Sequence, residues 1–256
     1  MEASSPFDLL KTDELVVKII KMATEFHGRQ IPDSAEKHKF LVDTIANIST
    51  RFRRLAADKS LWKEPIVIEG SLKKGIRRFC DFPVSKLLIH YFSKYLDEND
   101  IQTLSEKFPS LEELLLPHIR RWPNLVNPWS SLTSLTFMVE SFDCLTDVKL
   151  HKSLPNLKFF RMCSNWYTTI LPDMTGCKEL QVVCLVCLDA SGGGVFELPG
   201  VPGFPGKVPF PRHLKELHGF DRLNTSMSME ECFENCAMLQ SHSWETECIC
   251  NPRFST

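Results

Sequence analysis

Three cysteine pairings are the first residues whose types and spacing could do chemistry. Cys184-x-x-Cys187, Cys232-x-x-x-Cys236 and Cys248-x-Cys250 could together furnish thiolates to a tetrahedral zinc ion, which needs only suitable geometry. The competing reading is that these are small, buried, apolar thiols. The eight histidines are scattered, with no H-E-x-x-H, no G-x-S-x-G and no serine elbow. A Cys-His nucleophile pair assembles in space rather than in sequence, so the residue order leaves it open. Gly206-Lys207 is followed by Val208 and lacks the upstream glycine of a phosphate loop. No catalytic, metal or cofactor-binding residue is therefore assigned, and no cofactor is expected.

Composition narrows the classes further. A chain of 256 residues that is 43% hydrophobic and 24% charged has enough apolar residues to bury a core or two small ones. Ten cysteines are about 4% of the chain, below the ~8–10% of small disulfide frameworks, so free thiols in a reducing compartment are expected. The net charge of -2 supplies no overall basic field for nucleic acid or an anionic membrane. The local cluster Lys73, Lys74, Arg77 and Arg78 reads as a solvated face. Met-Glu-Ala-Ser-Ser-Pro lacks a basic start and an apolar h-region, and no apolar run approaches the ~20 residues of a membrane span. These features predict a soluble protein, cytoplasmic and/or nuclear, with neither nucleic acid nor membrane as partner. Asn47-Ile48-Ser49 and Asn224-Thr225-Ser226 match the glycosylation pattern, but nothing else points to secretion.

The elements come next. Thr12 reads as an N-cap, with Asp13 and Glu14 in the first turn and apolar residues at Leu15, Val16, Ile19, Ile20 and Ala23. A polar connector is expected from Glu25 to Lys39, then a second helical pattern through Phe40, Leu41, Thr44, Ile45 and Ile48, and a third through Phe52, Leu55 and Ala56. Leu61 and Trp62 close this unit before Pro65. Three short helices of ~60 residues are marginal alone, so their spare apolar surface calls for a partner or for the next domain, which they could simply cap.

Two segments here resemble a known family. Leu10-Lys11-Thr12-Asp13-Glu14-Leu15-Val16-Val17-Lys18-Ile19-Ile20 resembles the opening of the F-box. Ile48-Ser49-Thr50-Arg51-Phe52-Arg53-Arg54-Leu55-Ala56-Ala57-Asp58-Lys59-Ser60-Leu61-Trp62-Lys63 resembles its closing segment, with an aromatic, a leucine-alanine pair, an aspartate and a leucine-tryptophan pair in the family order. The resemblance covers residues 7–68. It implies docking onto a Skp-type adaptor, and through it a cullin scaffold, by Leu10, Leu15, Ile19, Leu41, Ile45, Phe52, Leu55 and Trp62. Lys11 stands where the family usually has proline.

Residues 69–256 are read from self-similarity. Val84-x-x-Leu87-x-Ile89, Leu111-x-x-Leu114-x-Leu116, Leu132-x-x-Leu135-x-Phe137, Leu157-x-x-Phe160-x-Met162 and Leu180-x-x-Val183-x-Leu185 recur at offsets of 27, 21, 25 and 23 residues. Such spacings suit leucine-rich repeats of ~20–29 residues. Weaker units follow at Leu214-x-x-Leu217 and Leu239, and helical patterns are expected in the intervals, as from Asp100 to Phe108. A Gly/Pro-rich loop over 191–211 lengthens one interval to 34 residues. The predicted fold is thus α/β: an N-terminal three-helix F-box followed by an irregular leucine-rich-repeat solenoid.

Strand alternation predicts which residues line the binding face, since the repeated apolar positions point inward and the positions between them point outward. That face would carry Leu88, Glu113, Leu115, Thr136, Met138, Phe159, Arg161, Val182 and Cys184, with Cys163 and Val186 beside them. An apolar column with an arginine suits a protein interface; the alternative is that these positions pack under a terminal segment. The combination resembles F-box/leucine-rich-repeat proteins, which implies a non-catalytic substrate receptor of a ubiquitin ligase with an unidentified protein substrate. A leucine-rich-repeat scaffold or inhibitor whose F-box does not engage the ligase is the second expectation, for which Lys11 speaks.

Overall fold

The computed structural model describes residues 13–30, 34–90, 95–139, 145, 148–164, 168–187, 195–197, 210–219, 223–224 and 241–243. The chain divides into two compact units, Met1–His90 and Tyr91–Thr256. The whole is mixed α/β with parallel strand pairing.

In the first unit, α1 spans Asp13–Gln30, α2 Ser34–Asp43 and α3 Thr50–Ala56, with a 3-10 turn at Ile45–Asn47. The polar connector expected from Glu25 to Lys39 is not a connector: α1 runs through Gly28 and α2 begins at Ser34. A glycine costs ~1 kcal/mol in a helix interior and does not by itself end the helix. Ser49 caps α3, its hydroxyl accepting from the Phe52 amide at 3.2 Å. Val16 and Ile20 of α1 pack with Leu41, Ile45, Ala46, Phe52, Leu55 and Ala56 in one core. Each large member contributes about 1.5–3 kcal/mol by leaving water.

The chain then forms a βαβ unit, of which the sequence reading gave the second strand, at Val84-x-x-Leu87-x-Ile89, and missed the first strand and the helix. Strand β1 (Ile66–Glu69) leads into α4 (Leu72–Phe79) and returns as β2 (Lys86–His90), parallel to β1 with Ile66 opposite Leu87 and Ile68 opposite Ile89. The boundary expected between residues 68 and 69 falls inside β1, whose four residues are too few for an alternation to stand out.

In the second unit, α5 spans Glu98–Lys107, β3 Glu113–Ile119, β4 Ser134–Val139, α6 Leu150–Ser153, β5 Phe159–Ser164, β6 Thr168–Ile170, β7 Val182–Cys187, β8 Val195–Glu197, β9 Glu216–His218, β10 Leu223–Asn224 and β11 Ser241–Ser243. Strands β3, β4, β5, β7, β9 and β11 lie side by side in that order, each neighbouring pair parallel. The pattern positions align across them: Leu114 faces Leu135, Leu135 faces Phe160, Phe160 faces Val183, and Val183 faces Leu217. All five are buried.

The turn before each strand repeats as well. The amides of Leu111, Leu132, Leu157, Leu180 and Leu214 donate to the carbonyls of Phe108, Trp129, Leu154, Cys177 and Pro211 at 3.1–3.3 Å. All five acceptor residues are buried, six positions ahead of the aligned strand residues. A second column of this kind lets each repeat cover its neighbour although their intervals differ.

Helices fill fewer intervals than expected. Asp97 caps α5 in a capping box with Asp100, and α6 is a single turn, but residues 120–133 between β3 and β4 form no helix. Pro123 and Pro128 remove amide donors there, and Trp122 and Trp129 bury their indoles instead. A smaller parallel sheet, β6-β8-β10, was also absent from the sequence reading. Its strands follow β5, β7 and β9 respectively. Only two or three residues long, they carry no periodic signal apart from the β-branched run Thr168-Thr169-Ile170. The Ser164 and Thr169 hydroxyls, buried and 2.6 Å apart, tie the corner from β5 to β6.

Candidate functional site

Two surfaces gather the residues singled out in the sequence, one in each unit. On α1, Leu15, Ile19 and Met22 recur at i, i+4 and i+7 and are 46, 37 and 69% exposed. Val16 and Ile20 face the core from the same helix. The helix therefore carries apolar residues on two sides while burying only one, and Ile48 adds a further 46% exposed side chain to the unit. Asp13 fixes the start of α1 by accepting from Arg51 at 3.0 Å and from Arg54 at 2.6 Å, both on α3.

The expected adaptor-contact residues divide sharply. Leu15 and Ile19 are exposed, and Leu10 and Lys11 lie outside the described residues. Leu41, Ile45, Phe52, Leu55 and Trp62 are buried, so these five support the surface from beneath and offer little of their own. Trp62 is held most firmly: its indole donates to the Ala56 carbonyl at 2.7 Å and stacks between His38 and Phe82. Met22 was missed, although the i+7 spacing from Leu15 was the signal that marks it.

The second surface is a set of rows across the parallel strands. Glu113, Ser134, Phe159, Val182 and Glu216 form one row; Leu115, Thr136, Arg161, Cys184 and His218 form the next. The alternation thus places the expected binding residues in register, and Leu88 occupies the equivalent place on β2 in the first unit. Their exposure differs from the expectation. Glu113 is exposed; Leu115, Met138, Phe159 and Val182 are half-buried; Thr136, Arg161, Cys163, Cys184 and Val186 are buried. Cys163, Cys184 and Val186 pack with Met138 in a separate apolar cluster. The near-continuous apolar runs of β5 and β7 are those of strands covered on both faces, where strict in-out alternation no longer sorts core from surface. The accessible part of the surface is therefore the flanking set Glu113, Leu115, Met138, Phe159 and Val182.

Residues beyond that list continue the rows. Glu216 and His218 lie beside Val182 and Cys184, with His218 Nε2 and Glu216 Oε2 3.4 Å apart. Their signal was the weaker unit Leu214-x-x-Leu217, whose intervening positions follow the same alternation.

Of the zinc reading, Cys184 is buried and not part of a disulfide, and Cys232, Cys236, Cys248 and Cys250 lie outside the described residues. Among the described residues no three His, Cys, Asp or Glu side chains group as a metal site, and no helix is long and apolar enough to cross a membrane. Comparison of the chain with family models and with curated proteins found no match.

Proposed function

We propose that this chain is a substrate-receiving subunit of an SCF-type ubiquitin ligase. Its helical unit is an F-box that docks onto a Skp-type adaptor, and its parallel strands are an irregular leucine-rich-repeat solenoid that receives a protein substrate. The observation that carries this reading is the exposed stripe Leu15, Ile19 and Met22 on a helix whose other side is already packed. An unpaired apolar stripe is what a permanent partner would cover.

The chain performs no chemistry in this mechanism. The F-box fixes it to the cullin scaffold, the side chains around Leu115, Phe159 and Val182 hold the substrate, and a charged conjugating enzyme on the scaffold transfers ubiquitin at raised effective concentration. Proteasomal degradation of the substrate follows.

The test is a pull-down of purified Skp-type adaptor by the wild-type chain and by a Leu15→Asp, Ile19→Asp variant, both checked for folding by circular dichroism. Binding by the wild type and its loss in the variant support the reading. A folded wild-type chain that leaves the adaptor in solution overturns it, leaving a leucine-rich-repeat binding protein, for which Lys11 already speaks.

A further inference from the structure

The basic cluster on α4 is solvent-exposed, as its spacing suggests, and three of its four cations also share a concave surface. Lys74, Arg77 and Arg78 line a cleft of about 1050 Å³ within the first unit, together with Lys39 of α2 and Arg53 and Arg54 of α3. Six cations face three carboxylates, Asp43, Glu69 and Asp81, so the lining is net positive in a chain whose net charge is -2. A concave wall of net positive charge favours an anion that enters it.

Local structure does not account for all of these charges. Arg78 is paired with Asp43 at 3.0 Å and Arg54 with Asp13 at 2.6 Å, but Lys74 and Arg77 make no ion pair among the described residues. The last-turn position of Arg77 and Arg78 suits the helix dipole; Lys74 sits in the first turn, where the dipole disfavours a cation. Lys74 also stands three and four residues from those arginines, a spacing at which like charges repel by a few tenths of a kcal/mol. Gly75 sets α4 close to β1, because a β-carbon there would lie 2.5 Å from the Ile68 side chain. That close approach brings the row on α4 to the same cleft as Arg53 of α3.

We propose that this cleft is a binding site for clustered phosphate groups. Arg53 and Arg77 supply planar forks that match phosphate oxygens in pairs, and Lys74 adds a point charge between them in sequence. Carboxylates alone satisfy such a set less well, since each phosphate monoester brings close to two charges and three acceptor oxygens. The volume, at the upper end of the ~300–1,000 Å³ of small-molecule sites, admits more than one phosphate. The site is independent of the adaptor surface on α1 and stands or falls separately from it.

The experiment is calorimetric titration of the full chain with sodium tripolyphosphate, with a doubly phosphorylated serine peptide, and with the same peptide unphosphorylated. The wild type should bind at least one phosphate probe, less tightly as salt rises, and ignore the unphosphorylated peptide. A Lys74→Ala, Arg77→Ala variant should weaken binding by roughly tenfold or more, each lost charge-assisted contact being sizeable. Arg53→Ala, on a different helix, should weaken it too, so the test survives misfolding of either variant. Arg121→Ala, whose side chain pairs with Glu98 in the other unit, should change nothing. Tighter binding of tripolyphosphate assigns a soluble polyphosphate, and tighter binding of the phosphopeptide assigns a modified protein. Failure of both phosphate probes, equal binding of the unphosphorylated peptide, or unchanged affinity in folded variants overturns the proposal.

Discussion

The indole nitrogen of Trp129 donates a buried hydrogen bond of 3.1 Å to the carbonyl of Phe108, the residue that occupies the same place one repeat earlier. The bond stitches successive pre-strand turns together and satisfies a carbonyl at the end of α5. Trp129→Phe keeps most of the apolar area but leaves that carbonyl without its indole donor. The carbonyl keeps the Leu111 amide, so a loss of about 0.5–1.5 kcal/mol is expected, read as a lower denaturation midpoint in urea.

The α1 stripe and the core beneath it should respond oppositely to mutation. Leu15→Asp and Ile19→Asp alter exposed side chains, so stability should move by no more than about 0.5 kcal/mol while adaptor capture is lost. Leu55→Ala, in the core, should cost about 2–5 kcal/mol. Thermal melts run beside the pull-down separate a docking residue from a folding residue.

Asp13 anchors α1 to α3 through two arginines at once. Asp13→Asn should destabilise the helical unit by up to about 1 kcal/mol, the range for a partly exposed ion pair. The difference from wild type should shrink in 1 M salt, where the Debye length falls to ~3 Å. Denaturation at two ionic strengths checks this.

Gly219 follows β9 with φ +78°, and a β-carbon there would run into the Leu185 carbonyl. Gly219→Ala therefore meets both the left-handed backbone penalty of roughly 1–2 kcal/mol and a clash with the neighbouring strand. The variant should melt below wild type, and Gly70→Ala, also at positive φ but with open space around it, should be the milder change.

Burial pushes the Cys177 thiol up from 9.0 to about 12, with the Asp173 carboxylate adding to the effect. In the folded chain the thiol keeps its proton where the unfolded chain has lost it. The unfolded state thus binds fewer protons between pH 9 and about 12, and stability falls as pH rises through that window. Cys177→Ala should show a shallower alkaline decline than wild type in denaturation midpoints from pH 8.5 to 10.5. In the native chain, half-buried Cys80 should alkylate well before Cys177.

The sequence by itself determined the repeat. The apolar pattern recurs at intervals of 21–27 residues, and its five recurrences fall on β2, β3, β4, β5 and β7, all in parallel pairing. The start of α1 was legible from its first-turn acids, whereas the caps Ser49, Ser71 and Asp97 of α3, α4 and α5 were not read. Tertiary structure alone decided which residues remain available. Leu15 and Leu55 are equally apolar in sequence, and only the packing of α1 on α3 leaves one outside and the other in. Arg161 and Glu113 both occupy outward positions of a strand, yet coverage of β5 on both faces buries the first and spares the second. The α4 cations are exposed as their spacing suggests, but sequence spacing carries no record of α3, whose arginines line the same cleft. Burial is a property of distant neighbours, and a local pattern reports only the residues within a turn or a strand of it.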